Sequence, residues 1–155
     1  MIKAEVLLVE DSMADAELVR RAMGMNGHSL VPHRLHHVKN GEEALNFLYH
    51  EPGYEKTPRP DLILLDMRMP RVNGPTVLRK VKSDEDLKSI PIVVMTSSAD
   101  QHEIRQSYRN GANAYVVKPL TPDEFKVALH SIREFWLRFV EYPRFSTTFP
   151  PRVPA

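Results

Sequence analysis

The sequence predicts an α/β fold: a (βα)5 doubly wound sheet of five parallel strands. Three observations carry this. Four short apolar runs are near-continuous rather than alternating: VLLV at 6–9, LILL at 62–65, IVVM at 92–95 and AYVV at 114–117. Continuous runs of this length mark parallel strands buried on both faces. Segments with helical apolar spacing lie between them, and right-handed crossovers then place helices on both faces of the sheet. Turn and capping residues punctuate the alternation, so the element order reads βαβαβαβαβα.

Each element has its own justification. After the first run, Ala16, Val19 and Met23, with Leu18 and Ala22, make the apolar stripe of a first helix. A weaker strand at 35–38 reads as a sheet edge, because His36 and His37 interrupt it. A helix at 42–49 follows, then a long loop at 50–60 with three prolines. Asn73-Gly74 opens a helix at 75–81 behind the third strand. The fourth strand leads to a helix at 102–108, with Ser98 as a candidate N-cap, that stops near Asn110-Gly111. Thr121 caps the last helix and Pro122 takes its first position; it reads as running over 122–140. Residues 1–140 are therefore assigned to one domain and 141–155, with four prolines, to an irregular C-terminal tail.

Composition removes several function classes. The length of 155 residues suits one domain. A net charge of +1 supplies no field to attract nucleic acid or an anionic membrane, so neither is expected as a direct partner. The chain has no cysteine, which excludes disulfides, thiolate metal sites and cysteine nucleophiles. The N-terminal apolar run is too short for a signal peptide core or a membrane span, and a soluble cytoplasmic protein is expected.

In an open parallel sheet, ligands bind beyond the C-terminal strand ends. Those ends carry Glu10-Asp11, Asp66, Thr96-Ser97 and Lys118-Pro119. Clustered carboxylates repel one another unless a cation sits among them. Oxygen ligands favour a hard divalent ion, Mg²⁺ (or Mn²⁺). A carboxylate beside such an ion can attack a phosphoryl group, with the metal and Lys118 neutralising the transition-state charge and Thr96 donating to a phosphoryl oxygen. Asp66 ends the strand read as central and is the expected acceptor.

These residues resemble the receiver domains of two-component response regulators, the CheY-like fold. The matching pieces are LLVEDS, DLILLDMRMPRVNG, PIVVMTSSA and AYVVKPL, with Asp66 to Thr96 spanning 30 residues and Thr96 to Lys118 spanning 22. The resemblance covers residues 4–140 and implies the strand order 2-1-3-4-5. It implies that Asp66 takes a phosphoryl group from a phosphohistidine on a partner kinase. Glu10 and Asp11 would be the acid pair, with Asp11 the more direct metal ligand and the Arg68 backbone carbonyl a further one. Lys118 would contact the phosphoryl group, Thr96 would follow it inward, and Tyr115 would be the aromatic switch. Lys118-Pro119 matches a peptide bond that is cis in that family. The loop at 50–60, the ending REFWL at 133–137 and the lack of an output domain resemble, more narrowly, stand-alone receivers that partner bacterial phytochrome histidine kinases.

The plainer readings differ. Each acid alone would be a helix-dipole cap, and Tyr115 alone a packed strand aromatic; it is the set that points to phosphoryl chemistry. His33, His36 and His37 are poorly spaced for one metal on one strand. A haloacid-dehalogenase-type phosphatase would carry its aspartyl pair on the first strand, and a nucleotide carrier would need a glycine-rich loop where Asp11-Ser12-Met13-Ala14 stands. Phosphate sink, relay intermediate and partner-binding pseudo-receiver remain the alternatives within the family. A helix over 122–140 would be about 28 Å long against about 17 Å for a five-residue strand. Its last turns should overhang the sheet, so Phe135, Trp136 and Phe139 need a cover, expected to be the tail or a second subunit of a homodimer.

Overall fold

The computed structural model describes residues 4–24 and 32–144. Five strands, β1 (Ala4–Val9), β2 (His33–Val38), β3 (Leu62–Asp66), β4 (Ile92–Thr96) and β5 (Ala114–Val117), form one sheet in the order β2-β1-β3-β4-β5. Every pairing is parallel, as the continuous apolar runs require. The helices are α1 (Met13–Ala22), α2 (Gly41–Tyr49), α3 (Gly74–Ser83), α4 (Gln101–Arg109) and α5 (Pro122–Arg133).

Alternate strand residues feed two cores. Leu7, Val9, Ile63, Leu65 and Val94 pack with Phe47 of α2 and Val77, Leu78 and Val81 of α3. Val6, Leu8, Leu64, Val93 and Met95 pack with Val19 of α1 and Phe125 and Leu129 of α5. Each such side chain contributes about 1.5–3 kcal/mol on burial. By contrast, Ser107 is the one buried residue of α4, so that helix is the least anchored of the five.

Side chains cap all five helix starts: Ser12, Asn40, Asn73, Asp100 and Thr121 each accept from a backbone N–H three residues on. Each such cap is worth about 1 kcal/mol. Thr121 and the Asn73 turn follow the sequence reading. Ser98 does not: the α4 cap is Asp100, and the Ser98 hydroxyl accepts from the Asp100 N–H instead.

Two elements depart from expectation. The edge strand is longer than 35–38 and begins at His33. Its polar residues are satisfied across the sheet, since Glu5 receives Arg34 at 2.6 Å and His36 at 2.7 Å. The last helix is not α-helical to residue 140. It ends at Arg133 and continues as a π-helical turn, Glu134–Phe139, closed by Val140 N–H donating to the Phe135 carbonyl at 2.9 Å. The wider turn fully buries Leu137 and packs Trp136 against the second core. Tyr142 is also buried there, its hydroxyl donating to the Trp136 carbonyl at 2.6 Å. Trp136 is thus partly covered by its own chain, whereas Phe135 and Phe139 remain 55% and 67% exposed. Most of the tail, 145–155, lies outside the described residues.

Candidate functional site

The sheet register sets the site. Asp66 is the last residue of β3 and pairs with Met95, one residue before Thr96 ends β4; Thr96 in turn pairs with Val117. Glu10 follows β1 directly, its N–H donating to the Val38 carbonyl. Asp66 and Thr96 are buried, Glu10 fully so, and Asp11 is exposed. Glu10, Asp11 and Asp66 each offer a carboxylate oxygen, all within 4.8 Å of one another.

Lys118 enters this acidic cluster from the end of β5. Its ammonium lies 2.7 Å from Glu10 Oε2, 2.9 Å from Asp15 Oδ2 and 3.9 Å from Asp66 Oδ1, with only 9% of the side chain exposed. Burial alone would lower the lysine pKa, but the bonds to Glu10 and Asp15 hold it above its usual value. Asp66 behaves oppositely: burial, and then the charge of Glu10, push its carboxyl up to about 7, against the pull of Lys118 and the Arg68 N–H. The Arg68 N–H lies 3.4 Å from Asp66 Oδ1. A buried carboxylate whose ionisation is resisted by burial and by Glu10 marks a site short of positive charge. Three oxygen donors in one small cluster fit a hard divalent cation such as Mg²⁺ or Mn²⁺. Asp11 is exposed, while both Glu10 oxygens are already engaged by Lys118 and by the Ser12 N–H, which leaves Asp11 freer for direct ligation.

The loop after β3 is held tightly against this cluster. A Cβ on Gly74 would lie 2.5 Å from the Asp66 carbonyl oxygen and 2.5 Å from Met67 Cα, so only glycine lets α3 start there.

The profile of the response regulator receiver domain family matches residues 6–130. The chain belongs to that family. Its relatives include the probable methanogenesis regulatory protein FilR2 of Methanothrix harundinacea, 38% identical with 89% of this chain and 86% of the relative covered. The response regulator Rcp1 of a Synechocystis strain is also 38% identical, over 89% of this chain and 92% of its own. Among solved structures, the Mn²⁺-bound form of Rcp1 superposes with a TM-score of 0.86 at 37% identity, covering 91% of this chain and 99% of that one. The phosphorylated cyanobacterial phytochrome response regulator RcpA gives 0.86 at 38% identity with the same coverage.

In this receiver the sequence-derived site residues converge on one rim, with two differences. The Lys118-Pro119 bond is not cis; no cis peptide occurs among the described residues. Trans is the favoured isomer by about 0.5–1 kcal/mol even before proline. Here the Lys118 N–H donates to the Thr96 carbonyl at 2.7 Å and the ammonium reaches its acids without the other isomer. The second difference is Asp15, which sequence reasoning missed. The one available signal was its place in Ser12-Met13-Ala14-Asp15, three residues after a cap, where an acid reads as a partner for the helix dipole.

Tyr115 is half-buried on β5, and its hydroxyl donates to the Ser98 carbonyl at 2.9 Å. Burial raises its pKa, so the phenol stays protonated and able to donate. The Ser98 N–H in turn lies 3.5 Å from Thr96 Oγ1. Thr96 and Tyr115 are therefore linked through the short segment leading into α4. Among the described residues, no helix is long and apolar enough to cross a membrane.

Proposed function

We propose that this receiver accepts a phosphoryl group on Asp66 from a sensor histidine kinase, with Mg²⁺ (or Mn²⁺) at Glu10, Asp11, Asp66 and the Arg68 carbonyl. The observation that carries the proposal is a buried aspartate at a central strand end, with two acids clustered beside it and a lysine ammonium 3.9 Å away. An Asp66 carboxylate oxygen attacks phosphorus, the phosphorus–nitrogen bond of the phosphohistidine breaks, and its electron pair returns to the imidazole. The ion, when bound, supplies charge neutralisation for the phosphoryl oxygens. Lys118 contributes a second positive charge and Thr96 a hydroxyl donor. The protein is then a signalling switch rather than a conventional enzyme, promoting only its own phosphorylation and dephosphorylation.

Output follows from the link between Thr96 and Tyr115. Movement of Thr96 toward a phosphoryl oxygen changes the segment at Ser98, and with it the hydrogen bond that holds Tyr115. That segment leads into α4, which has little buried surface to resist a shift, so it suits the bistable element of a two-state switch. The altered face of α4, β5 and α5 would signal through protein–protein contacts. The likeness to Rcp1 and to the phytochrome response regulator RcpA supports a phytochrome-type kinase as the partner, and a cytoplasmic location goes with that reading. Exposed Phe135 and Phe139, flanking Trp136 on the π-helical turn, support a homodimer with these aromatics at its interface.

Intact mass after incubation with acetyl phosphate and Mg²⁺ tests the acceptor. The expected result is one added phosphoryl group, absent in Asp66→Asn and with chelator. No gain in wild type, or an equal gain in Asp66→Asn, refutes it. Light scattering over a concentration series tests the dimer, which fails if the protein stays monomeric at high micromolar concentration.

A further inference from the structure

We infer that Asp15 is a positioning residue for phosphoryl transfer, holding the Lys118 ammonium in place beside the acceptor. The inference rests on the acceptor role proposed for Asp66. A lysine ammonium has three donors on a flexible four-carbon stem, and ordering such a side chain costs up to about 2 kcal/mol. One acid fixes a distance but not a direction. Here two acids from different places hold the same nitrogen: Glu10 at 2.7 Å from the end of β1, and Asp15 at 2.9 Å from the first turn of α1. Two donors are thereby committed, and one remains for a phosphoryl oxygen on Asp66, whose Oδ1 is 3.9 Å away.

The local structure leaves Asp15 free for this. In a capping box, the acid three residues past the cap turns back to the cap's N–H. Here Ser12 caps α1 through the Asp15 N–H at 3.2 Å, but the Ser12 N–H donates to Glu10 Oε1 at 3.1 Å. Glu10 has taken the acceptor's place in the box, and the Asp15 carboxylate reaches Lys118 instead. Glu10 thus both occupies the Ser12 N–H and shares the lysine, joining the start of α1 and the end of β5 to the acceptor. Removing the Asp15 side chain leaves its backbone N–H, and therefore the Ser12 cap, intact.

The test is the rate of phosphorylation by acetyl phosphate, over a range of donor concentrations, in wild type, Asp15→Ala and Asp15→Asn. Mg²⁺ affinity by calorimetry and the ¹⁵Nζ signal of Lys118 by NMR accompany it. Asp15→Ala is expected to lose about tenfold in the maximal rate, the lower end of the range seen when partners that orient metal-ligating side chains are removed. Half-saturating donor and Mg²⁺ affinity should not change. Asn keeps an oxygen that accepts from the ammonium and should recover most of the rate. The hydrogen-bonded ammonium signal should be alike in wild type and Asp15→Asn, and shifted and broadened in Asp15→Ala, where Glu10 alone holds the nitrogen. A wild-type rate in Asp15→Ala, or a rate loss matched by an equal loss of Mg²⁺ affinity, overturns the role of Asp15. An ammonium signal unchanged in Asp15→Ala overturns it without any phosphorylation. Wild type that gains no phosphoryl group overturns the acceptor reading itself.

Discussion

Replacing Asp66 by asparagine should stabilise the metal-free protein, and the gain should depend on pH. The Asp66 carboxyl moves from an ordinary 3.8 to about 7 on folding, because burial and Glu10 oppose its charge. The folded state therefore holds the Asp66 proton more tightly than the unfolded state does. The penalty for ionising it is absent below the unfolded value, grows as pH rises from about 4 to 7, and is complete above the folded value. A difference between 3.8 and about 7 corresponds to a ceiling of about 4 kcal/mol at pH 8, falling to about 0.6 kcal/mol at pH 4. Asparagine has the same shape and no charge, so Asp66→Asn should recover about 1–3 kcal/mol of this at pH 8. Urea unfolding in chelator, followed by Trp136, the single tryptophan, gives the measurement. An Asp66→Asn protein no more stable than wild type at pH 8, or a gain independent of pH, refutes the account of a charge-starved site.

Three further outcomes follow from the same structure. Cation binding must displace the Asp66 proton, so the apparent Kd for Mg²⁺ should weaken about tenfold between pH 8 and pH 6; calorimetry showing a flat Kd contradicts this. Gly74→Ala would drive a Cβ to 2.5 Å from the Asp66 carbonyl oxygen, so the urea midpoint should drop by an amount worth about 1–3 kcal/mol, and an unchanged midpoint would mean that α3 need not start so close. Leu137→Ala should cost about 2–5 kcal/mol because Leu137 is fully buried although it sits in a π-helical turn. Phe139→Ala should leave monomer stability nearly unchanged, and equal losses for the two would show the turn to be packed differently.

Much of the fold was legible in the chain because burial on both sheet faces leaves a one-dimensional trace. The runs at 6–9, 62–65, 92–95 and 114–117 each fall within an observed strand, and Asp66 and Thr96 end theirs. Local chemistry was legible too: Asn73-Gly74 and Thr121-Pro122 act within a few residues of themselves, so their roles need no distant partner. The edge strand was read too short because its partners, Glu5 against Arg34 and His36, face it from another strand.

Three features needed the tertiary structure. The π-helical turn after Arg133 exists where Leu137 and Trp136 meet the core, and helical periodicity alone continues past it. The Lys118-Pro119 bond follows its loop, whose N–H is fixed by the Thr96 carbonyl, and its isomer is not written in the dipeptide. Asp15 reads in sequence as an ordinary first-turn acid, because the lysine that gives it a role is 103 residues away. The sequence by itself determined which runs are buried on both sheet faces and which acids, hydroxyl and lysine are brought to the strand ends. Which acid holds the lysine is set by the register of β1 against β3 and β4 against β5 and by where α1 begins, distances that exist only once the sheet has closed.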